Sequence, residues 1–135
     1  MQRTLILLKP DAVRRRLCGE IIRRIENKGF NILAMKQARI QKAVAEKHYA
    51  EHAGKPFFGE LVSFMTGGDV VMLIVEGDEV ISVMRTMMGK TKFTEAQPGT
   101  IRGDYAHSFT ENLIHGSDSP DSAAREISIF FAEVK

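Results

Sequence analysis

Apolar residues in this chain come in two rhythms, and the switching between them predicts its elements. Leu5 to Leu8 is a short unbroken apolar run closed by Lys9-Pro10; Val70 to Val75 is another, entered through Gly67-Gly68-Asp69 and closed by Glu76-Gly77-Asp78. Runs of that length bounded by turn-forming residues predict buried strands. Ile32 to Ile40 alternates more loosely and predicts a further strand. Between these segments the spacing becomes helical. Leu17, Cys18, Ile21, Ile22 and Ile25 mark a helix from about Val13 to Lys28, with Gly29 as its C-cap. A polar helix is expected near Gln41 to His52. After the break at Lys55-Pro56, Phe58, Leu61, Val62 and Met65 define a short amphipathic one. Val80, Ile81, Met84, Met87 and Met88 line a helix face that ends at Gly89; methionines at core spacing need no cofactor to explain them. The last helix, about Asp121 to Phe131, buries Ala124, Ile127, Phe130 and Phe131, and opens at Ser119-Pro120, an N-cap serine followed by proline.

Lys90 to Asn112 follows neither rhythm. It carries Pro98, Gly99 and Gly103 and predicts a long loop, functional or packed against a partner. A short strand is expected between this loop and the last helix. The order β-α-β-α-α-β-α-loop-β-α predicts an α+β sandwich with one largely antiparallel sheet and helices covering it, a single domain spanning residues 1–135.

Composition narrows the function. With 135 residues and 44% hydrophobic content the chain can bury a real core. A net charge of +2 gives no general attraction to nucleic acid or acidic membranes, so anion binding has to be local. The lone Cys18 excludes an internal disulfide framework and suits a reducing compartment; as part of an apolar stripe it reads as a packed thiol. The first apolar run is far shorter than the ~20 residues of a membrane span and lacks a cleavage site, so the expected location is cytoplasmic.

The candidate chemistry centres on Asn112-Leu113-Ile114-His115-Gly116-Ser117-Asp118. His115 stands between an apolar pair and a tight turn, held by its neighbours yet on an accessible edge. An imidazole, with an ordinary pKa of about 6.5, is a nucleophile near neutral pH. Moving a phosphoryl group requires cations spread over the phosphates, an in-line nucleophile and usually Mg²⁺. No glycine-rich cradle is present. The candidate donors are dispersed: Lys9 at a strand end, Arg85 on a helix, Thr91 and Arg102 in the long loop, and Asn112 beside His115. Phe57 is either a core aromatic or an exposed base-stacking platform.

Other short matches fail on context. Gly89-Lys90-Thr91 imitates the end of a P-loop, but Met84 stands where that motif needs glycine and a helix, not a strand, precedes it. His48 and His52 are four apart without the glutamate that a zinc-protease helix carries after its first histidine. Arg102-Gly103-Asp104 is a chance adhesion tripeptide. Arg14-Arg15-Arg16 reads as a solvated face, the alternative being a nucleic-acid-binding module.

Four motifs in order resemble the nucleoside diphosphate kinase family over the whole length: Thr4 to Asp11, Lys55-Pro56-Phe57-Phe58, Pro98 to Asp104, and Asn112 to Asp118. The resemblance implies a ferredoxin-like βαββαβ core with a four-stranded antiparallel sheet. It implies ping-pong transfer of a γ-phosphate from a nucleoside triphosphate (ATP, GTP and others) to a nucleoside diphosphate through a phosphohistidine, with low base specificity. On that likeness His115 is the nucleophile through Nδ1, and Lys9, Arg85, Thr91, Arg102 and Asn112 hold phosphates or ribose. Phe57 stacks on the base and Tyr49 lies beside the γ-phosphate and Lys9. Glu126 orients the imidazole with Ser117 nearby. Mg²⁺ is the implied cofactor, held mainly by the nucleotide phosphates and not by a protein metal site. A homo-oligomer is implied, hexamer preferred over tetramer, with no membrane partner. The chain departs from the family at Gly68-Asp69 (commonly Gly-Pro), Lys92-Phe93 (commonly Asn-Pro) and Arg14-Arg15-Arg16 (typically Gln-Arg-Gly), which bears on assembly and stability. Every implied catalytic position is intact, which argues against an inert scaffold.

Overall fold

The computed structural model describes residues 1–132. Chain order is β1 (Gln2–Leu8), α1 (Pro10–Arg14), α2 (Cys18–Lys28), β2 (Asn31–Arg39), α3 (Lys42–His48), α4 (Phe58–Thr66), β3 (Asp69–Gly77), α5 (Val80–Met88), α6 (Ile101–Tyr105), β4 (Ile114–Gly116) and α7 (Pro120–Phe130), with single 3-10 turns at Ala50–His52 and Phe93–Glu95. The strands lie in the order β2-β3-β1-β4 and every ladder is antiparallel. This is the expected ferredoxin-like sheet, with α3 and α4 occupying the β2–β3 connection.

Side-chain alternation divides the core. Leu5 and Leu7 of β1 pack with Met72 and Ile74 of β3 under α3, α4 and α7. Ile6 and Leu8 pack with Leu73 and Val75 under α2 and α5 on the opposite face. Both faces of the two central strands are therefore covered, which is why β1 and β3 read as unbroken apolar runs rather than alternating ones. β2, at one edge, keeps Leu33 and Met35 exposed.

Three expectations are corrected. The single helix from Val13 to Lys28 is broken. α1 starts at Pro10 and closes in a Schellman motif: Leu17 N–H donates to Ala12 C=O (2.9 Å) and Arg16 N–H to Val13 C=O (3.1 Å). Arg16 takes the left-handed position of that motif at φ 60. No glycine marks the stop, so spacing alone ran through it. The segment 90–112 is not all loop. Thr100 caps α6, its hydroxyl accepting from Gly103 N–H (3.0 Å) and donating to Gln97 C=O (2.6 Å). Gly103 has to be glycine, because a Cβ there would overlap the Gln97 carbonyl. In α7, Ala124 is exposed, and the buried stripe is Ala123, Glu126 and Phe130. A carboxylate in that stripe requires a partner, and the site supplies it.

Candidate active site

Residues directly opposite on antiparallel strands share a face. His115 of β4 lies opposite Leu7, so its ring joins the face covered by α3 and α7, while Ile114 packs into the other core. The His115 side chain keeps 25% exposure, and its Nε2 lies 2.9 Å from Glu126 Oε1. The same oxygen accepts from Ser117 Oγ (2.7 Å), and Ser117 Oγ accepts from Leu5 N–H (3.2 Å), which ties the pair to β1. Burial alone would raise the Glu126 carboxyl; the hydrogen bond and charge of His115, with the Ser117 hydroxyl, outweigh it and hold the carboxyl below its ordinary range. An ionised acceptor at Nε2 assigns the ring proton to that nitrogen. Nδ1 then carries the lone pair, and it makes no hydrogen bond among the described residues.

A cavity of about 550 Å³ opens in front of this ring. Its wall includes His115, Glu126, Lys9, Arg85, Thr91, Arg102 and Asn112, so the structure brings these sequence-predicted residues together. Lys9 follows β1 and its Nζ donates to Asn112 Oδ1 (2.7 Å). Burial, and then the nearby Arg102 charge, lower the Lys9 pKa to about 8. Arg102 is buried on α6. Its Nε, Nη1 and Nη2 donate to the carbonyls of Asn112 (3.3 Å), Gly89 (2.9 Å) and Ile114 (2.6 Å), and burial lowers its pKa to about 10. A guanidinium has five N–H groups, so two remain for a ligand. Arg85, from α5, donates Nη1 to Gly116 C=O (3.3 Å). Among the described residues none of Lys9, Arg85 or Arg102 is in an ion pair with a carboxylate. Their charge faces an anion-sized cavity.

Other expected residues lie off the wall. Ser117 acts from behind Glu126. Tyr49 is largely buried, its ring 4.6 Å from that of His48, and burial pushes its hydroxyl up to about 12. Phe57 is 44% exposed, immediately before α4, with its ring 5.4 Å from that of His52, a wall residue; the exposed-platform reading is the one its placement fits.

Sequence reasoning missed His48, Ser122 and Arg125, and gave Asp118 no role of its own although it closes the candidate run. His48 is buried, its ring edge-on to His115 at 4.9 Å, and its Nδ1 has no hydrogen-bond partner among the described residues. Burial, then the neighbouring His115, lower its pKa to about 3 and keep it neutral. Its four-residue spacing from His52 resembles a zinc pair, whereas its ring packs against those of Tyr49, His115 and Phe130. Arg125 donates to Lys47 C=O (2.6 Å), joining α7 to α3. The basic cluster is largely engaged within the fold: Arg14 pairs with Glu111 and Arg15 donates to Tyr105 C=O (2.8 Å).

A ferredoxin-like sheet carrying a carboxylate-held histidine at a cationic cavity defines a phosphate-handling α+β enzyme. The family model described as nucleoside diphosphate kinase matches residues 2–135. A nucleoside diphosphate kinase from Exiguobacterium sibiricum is 59% identical over 131 residues, 97% of this chain and 95% of that relative. A solved structure of a nucleoside diphosphate kinase family protein from Babesia bovis superposes with TM-score 0.96 at 42% identity, covering 98% of this chain and 90% of its own. Another, a halophilic nucleoside diphosphate kinase from Halobacterium salinarum in complex with CDP, gives 0.94 at 47% identity, covering 96% and 87%. The chain belongs to the nucleoside diphosphate kinase family and is a phosphotransferase. No described helix is long and apolar enough to cross a membrane.

Proposed function

We propose that residues 1–135 form one domain that moves the terminal phosphate of a nucleoside triphosphate to a nucleoside diphosphate by a ping-pong route through His115. The observation that carries this reading is Glu126 on Nε2, with Nδ1 unbonded at a cavity of cations. In the first half-reaction the Nδ1 lone pair attacks the γ-phosphorus. An N–P bond forms, the bond to the β–γ bridging oxygen breaks, and the nucleoside diphosphate leaves with that electron pair. Glu126 keeps the Nε2 proton and stabilises the cationic ring that forms. In the second, a β-phosphate oxygen of a new diphosphate attacks the same phosphorus and the N–P bond breaks.

Lys9, Arg85 and the two uncommitted N–H groups of Arg102 hold the phosphate oxygens, and Thr91 and Asn112 hold phosphate or ribose. Phe57 stacks on the base; every base has a π-face, which supports low base specificity. Tyr49, its ring against that of His48, supports the site from behind. The donor set fits Mg²⁺ carried in by the nucleotide: among the described residues the wall offers, apart from the His115-bound Glu126, only the separate carboxylates of Glu51 and Asp118, and Mg²⁺ commonly binds through few carboxylates plus substrate phosphates. When bound it neutralises charge on the β- and γ-oxygens. The reading includes a cytoplasmic homo-oligomer, hexamer preferred over tetramer, with nucleotides as partners.

Initial-rate kinetics with ATP and several diphosphate acceptors test this. Parallel double-reciprocal lines, and a label from γ-radiolabelled ATP that is acid-labile, alkali-stable and absent in His115→Ala, are expected. Intersecting lines, or a His115→Ala variant that turns over normally, would overturn it.

A further inference from the structure

Between Asn112 and His115 the backbone is bent against its preference. Ile114 N–H donates to Asn112 C=O (2.9 Å) across a single residue, Leu113, whose φ is 77. A γ-turn with positive φ at a non-glycine residue is a rare, strained conformation, and Leu113 is fully buried, so its side chain gains nothing from solvent. Strain of this kind persists only where surrounding groups over-determine it.

The segment after β1 does so. Lys9 N–H donates to Leu113 C=O (2.8 Å), and the Asp11 carboxylate, through Oδ2, accepts from Leu113 N–H (3.1 Å). Arg102 bridges the flanks by donating to the carbonyls of Asn112 and Ile114. Each polar backbone group of the turn centre is thereby engaged, and of these holders only Asp11 has no place on the cavity wall. Its residue is completely buried, and Oδ1 has no hydrogen-bond partner among the described residues. A buried carboxylate with one orphan oxygen is costly to keep unless its other oxygen does something required.

We propose that Asp11 is a positioning residue for phosphoryl transfer: by holding the Leu113 γ-turn it aims Asn112 and His115 into one site from outside the cavity. Without the bond, Leu113 relaxes toward negative φ. That rotation swings the Asn112 amide off Lys9 Nζ and shifts the His115 ring against Glu126. Displacements near 1 Å at a reacting atom cost on the order of 100-fold in rate. Nucleotide binding, shared among several cations and Phe57, changes little.

The inference rests on His115 being the phosphorylated group, and the test separates the two. Rapid-quench labelling of His115 from ATP is compared in wild type, Asp11→Asn and Asp11→Ala, each shown folded by thermal melt, alongside amide exchange at Leu113. Asp11→Asn retains an acceptor oxygen and is expected to label within about threefold of wild type. Asp11→Ala is expected to label at least about tenfold more slowly, with nucleotide KM within about threefold and faster Leu113 exchange. If Asp11→Ala does not fold, the near-isosteric Asp11→Leu, which also lacks an acceptor for Leu113 N–H, takes its place with the same expected loss. A folded Asp11→Ala that labels at the wild-type rate, a loss that resides in KM, or an Asp11→Asn that loses tenfold or more would overturn the proposal. If wild type takes no label the phosphohistidine reading fails, and the positioning role then stands or falls on Leu113 exchange and the His115 ring shifts in the variants.

Discussion

On the proposed reading Lys9 holds negative charge at a place where its own charge is disfavoured. Burial and the adjacent Arg102 bring its pKa to about 8, against 10.5 for an ordinary lysine. Below that value the ammonium is present in the unliganded chain; above it the cation disappears before any substrate arrives. We therefore expect kcat/KM for nucleotide to fall above pH about 8, approaching tenfold per pH unit, because kcat/KM reports ionisations of the free enzyme. Lys9→Gln should be weak throughout and lack that fall. A wild-type profile flat to pH 9.5 would show that Lys9 is not the phosphate-holding cation. The lysine was legible in the sequence as a strand-end cation, and so were His115 and Asn112 from their run. His48 was not, because burial and an orphan nitrogen have no signature in a string of letters. Arg102 was legible as a cation, but not as a brace of three carbonyls, which exists only after α6 and β4 meet.

Arg16 illustrates how an element can end without its usual signal. The Schellman closure of α1 needs a left-handed residue, and a non-glycine residue there costs about 1 kcal/mol or more. Arg16→Gly is expected to raise stability by about 1 kcal/mol and the melting temperature by about 3–4 °C, read by calorimetry, with phosphotransfer unchanged. An unchanged or lower melting temperature would mean the long side chain contributes as much as the torsion costs. The central strands were readable because covering both faces of β1 and β3 leaves continuous apolar runs. α7 was readable at its start, where Ser119 accepts from Ser122 N–H (3.1 Å), and at its end, where Phe130 and Phe131 are buried as expected, but Ala123 and Glu126 are buried where Ala124 and Ile127 were expected to be. Pattern reading favours apolar residues, whereas this stripe admits Glu126 on account of a histidine on β4. α6 escaped notice because five residues are too few for a periodicity, though Thr100 before Ile101 was a usable capping signal.

Across the chain as a whole, topology does the assembling. The antiparallel β1–β4 ladder sets His115 beside the end of β1, where Lys9 emerges; α7 returns over the same face with Glu126; α5 and α6 bring Arg85 and Arg102 from the other side. No local motif joins these groups, which explains why no glycine-rich phosphate loop is needed and why the order of four separated motifs was the informative signal. The arrangement supplies a physical reason for what the family likeness only implied: with Glu126 on Nε2, the proposed transfer has Nδ1 as the nitrogen open to phosphorus. Phosphorus NMR of the phosphoenzyme, formed with ATP and no acceptor and compared with both phosphohistidine isomers, tests it directly. The account predicts the Nδ1 isomer at His115 in wild type. The Nε2 isomer, or phosphate on any other residue, would contradict it.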